Sequence, residues 1–455
     1  MPDQVNLQKS FRFSPYVPYD SNVEVYVHSE GWVITPPSVG GVHPFEYTGW
    51  WDEMMSWHES CYLHAGLNPT ATYRIKGPDA LKFFSDTCVN SFADFPVGKG
   101  KHIVMCNEEG FDIKDGVLLR LGEDEFLTYW MWPYAEYALQ QGNYNAVGEN
   151  LTGKVFLYQL AGPKSLEIIE AATGEDLHDI RFIHFRDSAI DSRKVTVLRM
   201  GMAGTLAYEI HGQIKDAIPV YNALLKAGEK FGIRKLGRHA YRNAHTEGGF
   251  PQMGIHFPPP KDEAFAEFLR KTDIPRNTKT KLSGSMGTDI RLRYRNPVEL
   301  GWGGLVKFDH DFIGREALEK EVANPRRKMV TLAWNNEDIM DVYRSQLRDG
   351  EPFVFMELVA DYSYTLGNSD LHADQVLKEG KVVGISSGRM FSPYYREMIS
   401  LCSIDSIFSV LGTDVSVLWG EPGTHQREIR ATVSHFPYIR EGRNEHVDVN
   451  MIPRL

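Results

Sequence analysis

The stretch GMAGTLAYEIHG (201–212) decides how the rest of the chain is read. Gly-x-x-Gly opens a tight turn, and the chain then alternates through Tyr208, Glu209, Ile210 and His211 with the period of a strand. Glu209 has apolar or aromatic neighbours on both sides. A carboxylate in such a run is either an outward-facing, solvated residue or a group that reads a ligand, and these residues alone leave both open.

The chain has 455 residues, which at about 100–200 residues per domain allows two to four domains. Its 42% hydrophobic and 24% charged residues are ordinary for a soluble globular protein. Trp50, Trp51, Trp57, Trp130 and Trp132 crowd the first third, a pattern of core or of a site for a flat ring. A net charge of −11 argues against a nucleic-acid binder. Cys61, Cys88, Cys106 and Cys402 form no C-x-x-C pair, so no zinc or redox signature is present, and reduced thiols of a cytoplasmic protein are expected. The N-terminus MPDQVNLQKS lacks an apolar signal region, and no run is long enough to span a membrane.

Residues 1–45 read as extended arm and loop. Helical spacing follows over 45–60, 79–90, 135–141, 161–173 and 219–231, with strands between them. Residues 260–295 form a long polar excursion after Pro258-Pro259-Pro260. Strands are expected at 328–334, 382–386, 400–404, 415–419 and 429–433, with glycine-rich turns, the pattern of a compact all-β module. There is no GxGxxG, Walker loop or HExxH, and the spacing of His239, His245 and His256 does not gather a metal set. Three other segments carry chemistry. Lys114 lies between Asp112 and Asp115 at the start of a strand. Residues 237–251 put Arg238 and Arg242 around Tyr241, where basic groups can lower a phenol pKa, although an ordinary loop accounts for them equally. The third is GWGGLVKFDHDFIGREALEKE (301–321).

Together these segments resemble the glycine-cleavage T-protein (aminomethyltransferase) family of folate-binding enzymes. Residues 201–210 match its G-Y-T-G-E-x-G-F-E-I motif in spacing. NPVELGWGGLVKFDHDFIGREAL (296–318) is similar to its K-x-D-F-I-G-R-E-A-L segment, and residues 380–405 and 415–438 to its C-terminal strands. SDTCVNS (85–91), GMAG (201–204) and VTLAWNNEDI (330–339) resemble the branch of tetrahydrofolate-dependent aryl O-demethylases that act on vanillate- and syringate-like acids.

The resemblance implies an α+β fold, a three-domain cloverleaf with a central folate site and a C-terminal β-barrel. Residues 1–60 and 151–260 would form the first domain, 61–150 the second, 261–320 a connection and 321–455 the barrel. It implies tetrahydrofolate as cofactor, read by Glu209 with Met202 and Asp115 beside it. Tyr241 would be the catalytic acid and a folate contact, its proton matched to a phenol of pKa ~10. Lys114 would anchor a ring carboxylate, and Phe250, with Trp57 or Trp132, would cover the ring. Gly66 and Pro69 stand where the branch has polar substrate contacts. The expected reaction moves the methyl of a methoxylated aromatic acid to N5 of tetrahydrofolate. Alternatives are cleavage of a methylenedioxy bridge in a lignan, demethylation of a sulfonium acid, or folate binding without catalysis. The expected partners are a small aromatic substrate and folate, with no metal, nucleic acid or membrane.

Overall fold

The computed structural model describes residues 14–28, 42–272, 279–359 and 368–454. Three sheets organise them. The first is antiparallel in the order Phe185–Ile190, Arg193–Leu198, Ala207–Gln213, Val155–Ala161, Cys61–His64, with Ile233–Leu236 added in parallel at one edge. The short strand Cys61–His64, expected with the second domain, pairs in this first sheet. Helices Ser165–Thr173 and Ala217–Gly228 cover one face, packing Leu166, Ile169, Val220 and Leu224 against Phe156, Tyr158, Tyr208 and Ile210. Because strand side chains alternate between faces, Glu209, His211, Leu157 and Gln159 must turn to the other.

The second sheet runs Gly100–Cys106, Asp112–Gly122, Glu125–Tyr129, Thr72–Lys76, Val147–Asn150, with its own core around Phe83, Phe84 and Phe126. The third is a six-stranded barrel built from Arg327–Trp334 and the strands after it. It closes where Asn368–Lys378 pairs with Asp414–Trp419. The polar excursion over 260–295 holds the helix Glu263–Arg270 and the strand Lys279–Ser283, which adds to the barrel's edge. Of the expected arm over 1–45, the described part contains the paired strands Tyr26–His28 and Val42–Pro44. All four cysteines are buried and unpaired. Among the described residues no helix is long and apolar enough to cross a membrane.

Residues 237–251, which loop chemistry explained equally well, form the helix Arg238–Gly248 at the centre of the molecule. All of its residues except His239 are buried, yet its only apolar side chains are Ala240, Tyr241 and Ala244. A polar helix can be buried only if its side chains find partners. Glu247, fully buried, accepts from Trp57 Nε1 at 2.6 Å, from His58 Nε2 at 2.8 Å, and from the Ser392 hydroxyl of the barrel. Thr246 donates to the Gly388 carbonyl of the barrel at 2.6 Å. The helix ends where Gly248 meets the 201–204 turn; a Cβ there would lie 2.6 Å from the Met202 carbonyl. Gly249 then takes the left-handed conformation at φ +70.

Two histidines packed against this helix are held neutral. Burial pushes both His64 and His256 down to about 3. Gln252 N–H donates to His256 Nδ1 at 2.9 Å, so the ring keeps its proton on Nε2, 3.1 Å from the Thr246 hydroxyl.

Two measurements probe this centre. Glu247→Ala strands three buried donors and should cost about 3 kcal/mol in urea unfolding. The unfolded chain takes up protons below the ordinary histidine value of 6.5, whereas the folded chain resists until about 3. Stability is therefore intact above 6.5 and drains as pH falls, by about 2 kcal/mol per histidine between pH 6.5 and 5. His256→Gln should make that slope visibly shallower in thermal melts.

Candidate active site

The face of the first sheet turned toward the central helix carries a row of paired positions across five strands. Leu198 lies opposite Glu209, Glu209 opposite Gln159, Gln159 opposite His64, and His64 opposite Leu236. Register alone therefore places Glu209, Gln159 and His64 side by side. Gln159 Nε2 donates to Glu209 Oε1 at 2.9 Å, and Gln159 Oε1 accepts from the Tyr62 hydroxyl at 3.2 Å. His211 Nε2 reaches Glu209 Oε2 at 3.3 Å, and its Nδ1 is 2.9 Å from the Tyr129 hydroxyl. Glu209 is 3% exposed, and among the described residues no Lys or Arg pairs with it. It is a buried carboxylate held by the Gln159 amide and the His211 ring.

Tyr241 projects from the central helix onto this row. Its ring stacks on His64, centroids 4.0 Å apart and planes within 7°, and its hydroxyl hydrogen-bonds with Gln159. His64 Nδ1–H donates to the Leu236 carbonyl at 2.9 Å, while its Nε2 has no hydrogen-bond partner among the described residues. A Cβ on Gly66 would lie 2.6 Å from the His64 ring. The bare glycine thus makes room for the imidazole under Tyr241. The expectation that basic neighbours lower the Tyr241 pKa is reversed. Burial, aided by the Glu209 charge, raises it well above the usual tyrosine value, against a smaller opposing effect of the Gln159 hydrogen bond. Tyr241 is therefore a firmly protonated donor.

The site continues along the helix. His245 lies one turn beyond Tyr241 with its ring edge-on, centroids 5.3 Å apart, and Phe250 is 6.1 Å further. Phe250 packs 5.4 Å from Trp302 and 5.2 Å from His102, whose ring meets Trp302 edge-on at 4.6 Å. His102 Nε2 then reaches Asp115 Oδ2 at 3.1 Å. Lys114 lies half-buried between Asp115 and Asp112. Burial pulls its amine below the usual lysine value, opposed by the charges of Asp115 and Asp112. Asp112 is fully buried, and burial, with Asp115 beside it, pushes its pKa well up against the opposing charge and backbone N–H of Lys114.

Contacts thus run without a break from Glu209 through Gln159, Tyr241, His245, Phe250 and His102 to Asp115, the neighbour of Lys114 in sequence. Met202 packs at the edge of the cluster that holds Tyr241. Trp57 is fully buried, spends its N–H on Glu247 and sits edge-on to Tyr62, so it backs the site instead of facing it. Trp132 is engaged with Glu136 in the core of the second sheet. Pro69 is buried in a turn that the Asn68 side chain pins to Ala65 and Leu157. The ring beside Phe250 is Trp302, from the GWGG segment quoted above. Its place in the glycine-rich GWGG run is the available signal. Gln159, His64, His102 and His245 were not singled out for the site, because each looks like a routine strand or helix residue until register and packing are known.

Three comparisons bear on this arrangement. Residues 39–259 match the family described as the GCVT N-terminal domain. A sesamin methylene transferase of a Sinomonas species is 43% identical over 91% of this chain and 94% of its own length. A syringate O-demethylase of a Sphingobium species is 33% identical over 91% of this chain and 94% of its own. The fold is that of the glycine cleavage system aminomethyltransferase T from Bartonella henselae, at TM-score 0.64 and 16% identity over 89% of this chain and 94% of that one. The chain therefore belongs to the aminomethyltransferase superfamily, as one of its tetrahydrofolate-dependent one-carbon transferases.

Proposed function

We propose that this enzyme takes its one-carbon unit from an aryl ether oxygen, and that its substrate is a neutral aromatic ring carrying a methylenedioxy bridge. The observation that carries the substrate half is charge. Lys114 stands in the field of Asp115 and Asp112, whose charges oppose the lowering of its pKa by burial. A ring carboxylate brought to Lys114 would meet these acids as well, whereas a neutral ether would not. The relative named for methylene transfer from sesamin, at 43% identity, supports the same side.

Glu209 supports the cofactor role expected of it. A buried carboxylate without a cationic partner is costly unless donors surround it. The adjacent N–H groups of a pterin edge are such donors. Tetrahydrofolate, when bound, supplies the nucleophilic nitrogen that accepts the one-carbon unit. The chain's own work is then to hold the aryl ether in line and to receive the leaving oxygen. Phe250 and Trp302 offer faces for the ring. Tyr241, held protonated and fixed in plane by His64, is the donor to the phenolate oxygen as the C–O bond breaks. Met202, Gly66 and Pro69 shape the walls around that point. The near-complete burial of Tyr241, His64 and Glu209 excludes water from it.

A second reading, the methoxylated aromatic acid, is favoured by one observation. The Lys114 amine makes no hydrogen bond among the described residues, and a carboxylate would supply one.

The folate product separates the two. Protein and tetrahydrofolate incubated with sesamin, benzodioxole and methoxybenzoates should yield 5,10-methylenetetrahydrofolate and a catechol from the first group. If only 5-methyltetrahydrofolate and a phenol appear, from the acids, the second reading replaces the first. Tyr241→Phe should lower kcat by roughly 100-fold or more; retention of most of the rate removes Tyr241 from the acid role. Lys114→Ala should leave KM for methylenedioxyarenes within about threefold, since no anion is held there.

A further inference from the structure

His245 is 1% exposed, and neither of its ring nitrogens has a hydrogen-bond partner among the described residues. The other two histidines at this centre differ. His64 spends Nδ1 on the Leu236 carbonyl, and His256 uses both nitrogens, on Gln252 N–H and the Thr246 hydroxyl. A buried imidazole with two unmet polar atoms is costly, so its survival asks for a purpose outside the chain's own packing. Its position suggests one. His245 follows Tyr241 by four residues, on the same helix face, and its ring stands between those of Tyr241 and Phe250.

The chemistry of a methylenedioxy bridge needs a second proton-handling group. Transfer of a methyl breaks one C–O bond and forms one C–N bond, so a single proton leaves a folate nitrogen and a single phenolate oxygen gains one. Opening the bridge breaks two C–O bonds and forms two C–N bonds to the same carbon. Each C–O electron pair stays on its oxygen. Two protons leave nitrogens and two arrive on oxygens, with no change of oxidation state overall. The two oxygens sit on neighbouring ring carbons, so the second donor must lie beside the first.

Building on the methylenedioxy reading above, we infer that His245 is a second catalytic residue, the relay that takes a proton from a folate nitrogen and delivers one to the second aryl oxygen. A neutral imidazole accepts at one nitrogen and donates at the other. Burial holds the ring neutral, driving its pKa well below the usual histidine value, reinforced by His256, Arg242 and His64 around it. Among the described residues no side chain hydrogen-bonds to either nitrogen, and only the Phe250 backbone, which opposes the fall in pKa, biases the ring, so the proton can move between the nitrogens as a relay requires.

The test uses the full-length chain with His245→Phe, which keeps a ring of similar shape and removes both nitrogens, and with His245→Asn as a second variant that keeps a smaller amide. Because no side chain among the described residues bonds to the nitrogens, His245→Phe should melt at or above the wild-type temperature and bind tetrahydrofolate within twofold. Its kcat on the best methylenedioxyarene should nevertheless fall at least 100-fold, with KM within threefold, and His245→Asn should lie between. A purely structural His245 gives the opposite pattern, a lowered melting temperature with kcat preserved in whatever folds, and overturns the inference. So does wild-type kcat within threefold in either variant. If the wild-type protein forms no 5,10-methylenetetrahydrofolate from any methylenedioxyarene, the substrate reading itself falls. Wild-type turnover with unaffected variants removes His245 alone.

Discussion

A helix made almost entirely of polar residues lies at the centre of this molecule, and everything else is arranged so that it can stay there. Desolvating Glu247, Thr246 and Tyr241 is unfavourable unless each finds a partner. The partners come from separate parts of the chain. Trp57 and His58 belong to the N-terminal helix Trp50–Glu59, Ser392 and Gly388 to the barrel, and His64 and Gln159 to the first sheet. A hydrophobic helix would need only a greasy bed. This one needs specific donors at specific angles, and so it ties three folding units to one geometry.

That constraint explains which parts of the protein were legible in sequence. The strand bearing Glu209 shows itself, because Tyr208 and Ile210 face covering helices while Glu209 and His211 face the site, and the alternation is written in the residues. The barrel strands at 328–334, 400–404 and 415–419 show themselves for the same reason. The central helix does not. Residues 238–248 have no apolar stripe, the signal by which helices are usually found, because this helix is buried on every side by polar contact. The same blindness hid His245 and Trp302, since a count of aromatic residues says nothing about which ring packs against Phe250. It also set the Tyr241 pKa in the wrong direction. Arg238 and Arg242 are near in sequence, but burial and Glu209 dominate in space.

The family motif carried the cofactor half of the function, and the substrate half depended on features the motif does not cover. Glu209 sits within a same-length match to a family pattern and, among the described residues, pairs with no lysine or arginine. In the proposed reading, the residues that would meet the aryl ring are Lys114, Asp112, Asp115, Phe250 and Trp302, drawn from one strand and two loops. Their joint charge, not the identity of any one of them, bears on whether an anionic or a neutral ring is welcome. A lysine read alone suggests a carboxylate, and the same lysine beside two acids argues the reverse.

The Ser392 hydroxyl gives Glu247 one of its donors, and Gly388 gives Thr246 its acceptor, both from the barrel. The family match over 39–259 stops short of either. The segment with the recognisable signature is therefore not a self-sufficient enzyme. Cut away from the barrel, it would retain Glu209, Tyr241 and His245 in sequence while losing part of the scaffold that keeps their helix buried. Transplanting substrate preference between relatives by exchanging domains would carry this hidden wiring along with it, so the unit of inheritance for this site is the whole chain.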